Sequence, residues 1–317
     1  MITTIAGGVG AARYLNWLQQ VVPADQLVAV VNTGDDTVFH GLHVSPDIDT
    51  VTYTLAGAIN PETGWGLAGE TWQAMDALRR YADAGALTWF NLGDRDLATH
   101  LFRTARLRDG ATLSTVTDEI RRAWGIAVRL LPMSDDRVST KVRATDGVIG
   151  FQEYFVKHRH DVTVHEVILD GIGTAAPAPG VLRAIAEAEA IVVAPSNPLV
   201  SIGPVLAVAG VRDALTARRE QVVAISPIVA GAALKGPADR MMTELGFEAS
   251  VVGVARLYAP FASTLIIDHA DAALAGQVEA AGMRCVVTGT IMAEPGVGAA
   301  LARTSLAAAT AGNVGSP

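Results

Sequence analysis

Met1-Ile2-Thr3-Thr4-Ile5-Ala6 runs directly into Gly7-Gly8-Val9-Gly10-Ala11-Ala12-Arg13, and the reading of this junction decides the fold. A short apolar run that breaks into glycines and then into an alanine-rich segment reads as strand, tight turn and helix. Glycines at such a turn let backbone N–H groups close on an anion, and the helix N-terminus adds partial positive charge. The pattern is Gly8-x-Gly10-x-x-Arg13, with an arginine where dinucleotide-binding loops carry a third glycine. Arg13 would reach a phosphate from the first helical turn. The chain contains no G-x-x-x-x-G-K-[ST], which excludes a Walker-type site. A plain strand-to-helix turn without a ligand is the alternative.

A second apolar run, Leu27 to Val31, breaks into Asn32-Thr33-Gly34-Asp35-Asp36, in which Asn32 and Thr33 are candidate nucleotide contacts. Ser45-Pro46-Asp47-Ile48-Asp49-Thr50 follows about a dozen residues later, ahead of a helix expected over 50–58. Asp35 and Asp36 fit three roles: holding a ribose, holding Mg²⁺, or forming a turn. Asp47 or Asp49 would serve equally as a helix N-cap. Four carboxylates near one strand end repel one another unless a cation or proton is shared. Asp35, Asp36, Asp47 and Asp49 are therefore the candidate Mg²⁺ ligands, and one of them is a candidate acceptor for the proton of an attacking hydroxyl.

Further along, strands and helices alternate, which predicts a mostly parallel sheet with helices on both faces. A strand is expected over 87–91, breaking into Gly93-Asp94-Arg95-Asp96, with His100 on the helix beyond. Arg95 is a candidate phosphate clamp; a surface Asp–Arg pair is the simpler reading. From 107 to 161 the rhythm changes, and this stretch is expected to be an inserted cap. Alternation resumes with a strand over 164–169. Ser196-Asn197-Pro198, Ser226-Pro227 and Lys235-Gly236 are polar exits at strand ends or helix starts, where α/β sheets bind ligands. Residues 1–306 read as one Rossmann-like α/β domain and 307–317 as a frayed tail.

Composition removes other classes. Half of the 317 residues are hydrophobic, 18% are charged, and the net charge is -8 without a long basic run, which argues against nucleic acid as partner. The single cysteine, Cys285, excludes an internal disulfide and reads as a small core residue. Neither a signal peptide nor an apolar run of about 20 residues is evident, so no membrane partner and a cytoplasmic location are expected.

Taken together, the glycine turn, Asn32-Thr33-Gly34-Asp35-Asp36, Pro46-Asp47-Ile48-Asp49-Thr50, Leu92-Gly93-Asp94-Arg95-Asp96 with Thr99-His100, Arg108-Asp109-Gly110 and Ala194-Pro195-Ser196-Asn197-Pro198 resemble the 2-phospho-L-lactate transferases of deazaflavin coenzyme F-420 biosynthesis. The similarity covers nearly the whole chain. It implies a Mg²⁺-dependent enzyme with a Rossmann-like core, usually dimeric. Such an enzyme passes the phospho-acyl half of a guanosine diphosphate conjugate of lactate or enolpyruvate to the ribityl hydroxyl of the deazaflavin Fo, and GMP leaves. The resemblance implies that Asp49 meets the Fo hydroxyl and that Asn91 and Arg95 lie on the Fo side. It sets Gly7–Gly10 and Ser196-Asn197 on the guanosine diphosphate side. The alanine-rich composition looks actinobacterial, and in that branch the enolpyruvyl donor is expected. Two rival readings are an NAD-dependent oxidoreductase using Gly7–Gly10 with Asp35, and a non-catalytic nucleotide sensor.

Overall fold

The first strand and helix form where the glycine turn places them: β1 (Ile2–Ala6) is entirely buried, and α1 (Val9–Leu18) starts right after Gly8. The structure is a computed structural model and describes residues 1–311. β2 (Leu27–Val31) is followed by a small hairpin, β3 (Thr37–Phe39) and β4 (Leu42–Val44), and then by α2 (Pro46–Leu55). Next come α3 (Gln73–Leu78), α4 (Asp96–Arg108), α5 (Leu113–Ala123) and β5 (Arg129–Pro132). β6 (Ser139–Ala144), β7 (Gly147–Gly150) and β8 (Val164–Asp170) precede α6 (Val181–Ala186) and β9 (Ala190–Val193). The remainder is α7 (Gly203–Ala207), α8 (Val211–Ala217), β10 (Val222–Ile225), the short hairpin β11 (Ile228–Val229) and β12 (Ala232–Ala233), α9 (Ala238–Glu244) and α10 (Val251–Tyr258). β13 (Thr264–Ile267), α11 (Ala275–Ala280), β14 (Arg284–Val287) and α12 (Val297–Ala311) close the chain.

Seven strands form the main sheet in the order β14-β13-β10-β9-β1-β2-β5, all paired in parallel. Strands such as Ala-Ile-Val-Val of β9 are apolar at every position because both faces are covered. α1 and α12 pack on one face; α6, α8 and α10 pack on the other. From β1 the chain builds outward to β2 and β5, then returns to the opposite side at β9. The loops after β1 and β9 therefore border the crevice where such sheets bind ligands. No single helix among the described residues is long and apolar enough to cross a membrane.

Several expectations need correction. Residues 107–161 are not one cap. β5 belongs to the main sheet, pairing to β2 at its edge, and α5 leads into it. Only the later part leaves it, forming the antiparallel sheet β7-β6-β8. β8 was expected to resume the main sheet, yet its sequence Val-His-Glu-Val-Ile-Leu-Asp is half polar and half exposed, the mark of a sheet with one solvated face. Residues 87–91 form no strand: Trp89 and Phe90 instead pack on Phe39, with ring centroids 5.1 and 4.2 Å away, in a side lobe with Met75 and Leu92. α2 begins at Pro46, not Thr50, because proline suits the first helical position. Asp47 and Asp49 thus lie inside the first helical turn. Residues 307–311, expected to fray, continue α12, where Ala309 is buried against the sheet; 312–317 lie outside the described residues.

Candidate active site

The glycine turn and the loop after β9 touch. A Cβ on Gly10 would lie 2.0 Å from the Pro195 carbonyl oxygen, and one on Gly7 would lie 2.5 Å from Ser201 Cβ and 3.2 Å from Ser196 Oγ. Ser196 Oγ is buried without a hydrogen-bond partner, so this hydroxyl remains available to a ligand at the crevice. Asn197 closes its own turn, accepting from the N–H groups of Leu199 and Val200 at 2.9 and 3.4 Å; it shapes the loop. A Cβ on Gly8 would meet Asp47 Oδ1 at 2.5 Å. The anion-binding turn and the acidic cluster are therefore in direct contact.

Three of the four aspartates gather there, each buried. Asn32, expected to face nucleotide, turns to the acids: its Nδ2 donates to Asp47 Oδ2 at 2.9 Å and Asp35 Oδ1 at 3.3 Å, while its Oδ1 accepts from Gly34 N. Gln152 Nε2, just beyond β7, donates to Asp35 Oδ2 at 3.2 Å. Asp36 Oδ2 accepts from Ser45 Oγ at 2.6 Å and lies 3.0 Å from His43 Nε2. Asp36 Oδ1 is buried with no partner, as is the Thr33 hydroxyl. Burial first, then the charges of Asp47 and Asp36, raises the Asp35 carboxyl well above the usual range. Burial also raises Asp36, and with the Asp36 charge it pushes Asp47 up to about 7. Three carboxylates held this close in a dry site favour either shared protons or a cation.

Asp49 has a partner of its own. Its two oxygens accept from the guanidinium of Arg103, one of these bonds being Nη1 to Oδ2 at 3.1 Å. Arg103 is wholly buried; burial opposes its charge, but the Asp49 carboxylate outweighs that and raises its pKa. His100 is buried beside them, with Nε2 3.3 Å from Asp96 Oδ2, and Tyr53 donates to Asp96 Oδ1 at 2.5 Å. Asp49, Asp96 and His100 lie close enough to share a metal ion, but Arg103 already engages both Asp49 and His100 Nδ1.

Two cations come together beside Gly64. A Cβ on Gly64 would lie 3.2 Å from Lys235 Nζ and 3.5 Å from Arg13 Nη2. Neither has an acidic partner among the described residues, and burial together with Arg13 lowers the Lys235 pKa. Two adjacent unpaired cations fit a multiply charged anion. Arg95 donates from Nη1 to the Ala68 carbonyl at 2.6 Å and is exposed; it anchors the loop before α3. Asn91 is also exposed and lines a small pocket with Trp65 and Trp72. Ser226 closes on Ile228, donating to its carbonyl at 2.9 Å. A larger cleft of about 150 Å³ is bounded by Asp35, Asp36, Phe39, Trp89, Phe151 and Gln152.

A profile of the 2-phospho-L-lactate transferase family CofD matches residues 2–296. The chain belongs to that family. Among its relatives, the phosphoenolpyruvate transferase of Kitasatospora aureofaciens is 46% identical, with 97% of each chain covered. That of Mycolicibacterium smegmatis is 40% identical, covering 96% of this chain and 97% of the relative. A crystal structure of a UPF0052 family protein from Bacillus halodurans superposes with a TM-score of 0.60 at 15% identity, over 96% of this chain and 98% of that one, and shows the shared fold.

For this CofD-family chain, sequence reasoning picked out the acids and the glycine turn but missed Arg103, His43, Tyr53 and Gln152. A signal for Arg103 existed. Asp96, His100 and Arg103 recur at i, i+4 and i+7, a polar stripe on one face of α4.

Proposed function

We propose that this chain transfers the phosphoenolpyruvyl, or 2-phospho-L-lactyl, group of a guanosine diphosphate conjugate to the ribityl hydroxyl of the deazaflavin Fo, releasing GMP, in coenzyme F-420 biosynthesis. The names of the relatives support the enolpyruvyl donor. The observation that carries the reading is the contact of the glycine turn with Asp47, which sets an anion seat against three buried carboxylates. That set fits a hard divalent cation, because it offers oxygen ligands only and Asp36 Oδ1 has no partner. Mg²⁺ bound by Asp35, Asp36 and Asp47 would neutralise charge on the diphosphate and the departing GMP.

The remaining roles fall to the chain itself. The Gly7–Gly10 turn and the Ser196 hydroxyl seat the diphosphate, and Arg13 and Lys235 close on its phosphates. The cleft between Phe39, Trp89 and Phe151 suits a flat ring system, and its acidic wall at Asp35 and Asp36 lies where the ribityl chain would emerge. Following the resemblance, we assign Asp49, held at both oxygens by Arg103, to orienting the acceptor hydroxyl. The hydroxyl oxygen bonds to the phosphorus bearing the acyl group, and the bridging P–O bond breaks. Its electron pair leaves on GMP, and the hydroxyl proton passes to a carboxylate of the cluster. Positioning and charge neutralisation suffice for such a transfer. Following the resemblance, we take the working form to be a cytoplasmic homodimer, a point for light scattering.

The deciding test is incubation with Fo, Mg²⁺ and each guanosine donor, followed by mass spectrometry. GMP together with a phospho-acylated deazaflavin is expected. Release of GDP or GTP in its place would refute the assigned bond cleavage. The NAD reading predicts NADH binding, which a thermal shift against GDP decides.

A further inference from the structure

We propose that Arg103 and His43 are positioning residues that lock Asp49 and Asp36 into one fixed arrangement, with α4 as the rod that carries the lock. The kinetic part of the test rests on the transfer reaction proposed above; the binding part does not.

α4 grips β4 and α2 through a single face. Arg103 holds both Asp49 oxygens, and its Nη1 also reaches His100 Nδ1 at 3.3 Å and the His43 carbonyl at 3.4 Å. Thr104 Oγ1, next along the same helix, accepts from His43 N at 2.8 Å. α4 thus holds the backbone of His43 at its N–H and its carbonyl. The ring of His43 then reaches Asp36 Oδ2 at 3.0 Å. One helix fixes Asp49 directly and Asp36 through a single residue.

The chemistry of each group suits this work. A guanidinium donates in a rigid planar fork that matches two carboxylate oxygens, whereas an ammonium offers a point charge on a flexible stem. Burying such a pair is costly, and apolar residues of similar size in place of both partners would hold the fold about as well, whereas removing one partner alone leaves a buried charge. Retaining the charge makes sense if the Asp49 carboxylate must stay in place. Arg103 Nη1 lies 3.3 Å from His100 Nδ1, and the other ring nitrogen, Nε2, lies 3.3 Å from Asp96 Oδ2. Tyr53 holds the other Asp96 oxygen and ties this end of α4 to α2. Asp49 and His100 are thereby engaged by the guanidinium, with Asp96 behind His100, and the trio serves as a clamp and not as a second metal centre.

The test compares His43→Leu, His43→Gln, Arg103→Met and Arg103→Lys in the full chain, each first checked by thermal unfolding. The His43 side chain is 27% exposed, so its variants are expected to fold. His43→Leu should lower kcat about 100-fold while KM for the guanosine donor stays within about threefold, the signature of misplaced reacting groups. His43→Gln can return a nitrogen donor to Asp36 and should recover most of the loss. Arg103→Met should behave as His43→Leu does, and Arg103→Lys should recover only part. In parallel, calorimetric titration with Mn²⁺ should weaken about tenfold in His43→Leu, as for other groups that orient metal ligands. This readout stands even if the wild-type protein transfers nothing, an outcome that would count against the reaction and not the lock. Wild-type kcat and Mn²⁺ affinity in His43→Leu would overturn the proposal, as would a His43→Gln no better than the leucine variant. If Arg103→Met fails to fold, the His43 pair decides.

Discussion

A methyl group at residue 8 would come within 2.5 Å of Asp47 Oδ1, and one at residue 10 within 2.0 Å of the Pro195 carbonyl. Neither glycine adopts a left-handed φ, and both supply room where a side chain would meet a neighbour. The obstacles differ in kind. Asp47 is a side chain and can swing aside; the Pro195 carbonyl is backbone beside β9 and cannot move without its strand. Gly10→Ala should therefore destabilise the fold by about 1–3 kcal/mol, the usual cost of overpacking. Gly8→Ala should keep most of its stability and lose activity, because the displaced group is a proposed metal ligand. Urea titration and steady-state rates on the two variants read this directly. The reverse order, with Gly8→Ala the less stable and the more active, would mean that Asp47 has no part in the site.

At the level of elements, the main sheet was open to sequence reading because a parallel strand buried on both faces is a continuous apolar run. β9, β10 and β13 carry that mark, and each is fully buried. The accessory parts lack it. β8 has the length of a main-sheet strand but carries the exposed polar residues His165, Glu166 and Asp170, and 87–91 spends its aromatics on Phe39. The acids were legible because they lie in short polar loops directly after strands. Arg103 was not, since an arginine on a helix reads as a surface charge until its partner Asp49, 54 positions away, is known. The same side lobe bears on function. Trp89 and Phe151 reach the cleft beside Asp35 from two different accessory elements. Trp89→Ala and Phe151→Ala should each raise KM for the deazaflavin acceptor about 3- to 10-fold, the worth of one aromatic stacking contact, and leave KM for the guanosine donor unchanged. Equal loss for both substrates would place the acceptor ring somewhere else.

For the whole molecule, the acid cluster links stability to pH and to metal. Asp35, Asp36 and Asp47 all have carboxyls raised above their ordinary values, by burial first, and Asp47 lies at about 7. A raised carboxyl means that the folded state holds its proton more tightly than the unfolded chain does. Its contribution is complete below about pH 4, the unfolded value, and is lost as pH rises through the folded value. Asp96 works the other way: burial opposes its charge, but His100 and Tyr53 outweigh that and lower its pKa, so its contribution fades only in acid below that range. Between pH 5 and 8 the cluster dominates, and the metal-free protein should lose thermal stability across that window. The proposed divalent cation would replace the shared protons and bind more tightly as they leave. The Mg²⁺-induced rise in Tm should consequently be larger at pH 8 than at pH 5, reaching about 2.7 kcal/mol of added stability when Mg²⁺ stands at 100 times its Kd. Asp47→Asn removes one of the crowded charges, so it should flatten the metal-free pH slope and shrink the Mg²⁺ response together. Scanning calorimetry at the two pH values, with and without Mg²⁺, measures both. If the variant flattened the slope yet responded fully to Mg²⁺, the protons and the metal would belong to different sites, and the cluster would be a buried acid network with no cation of its own.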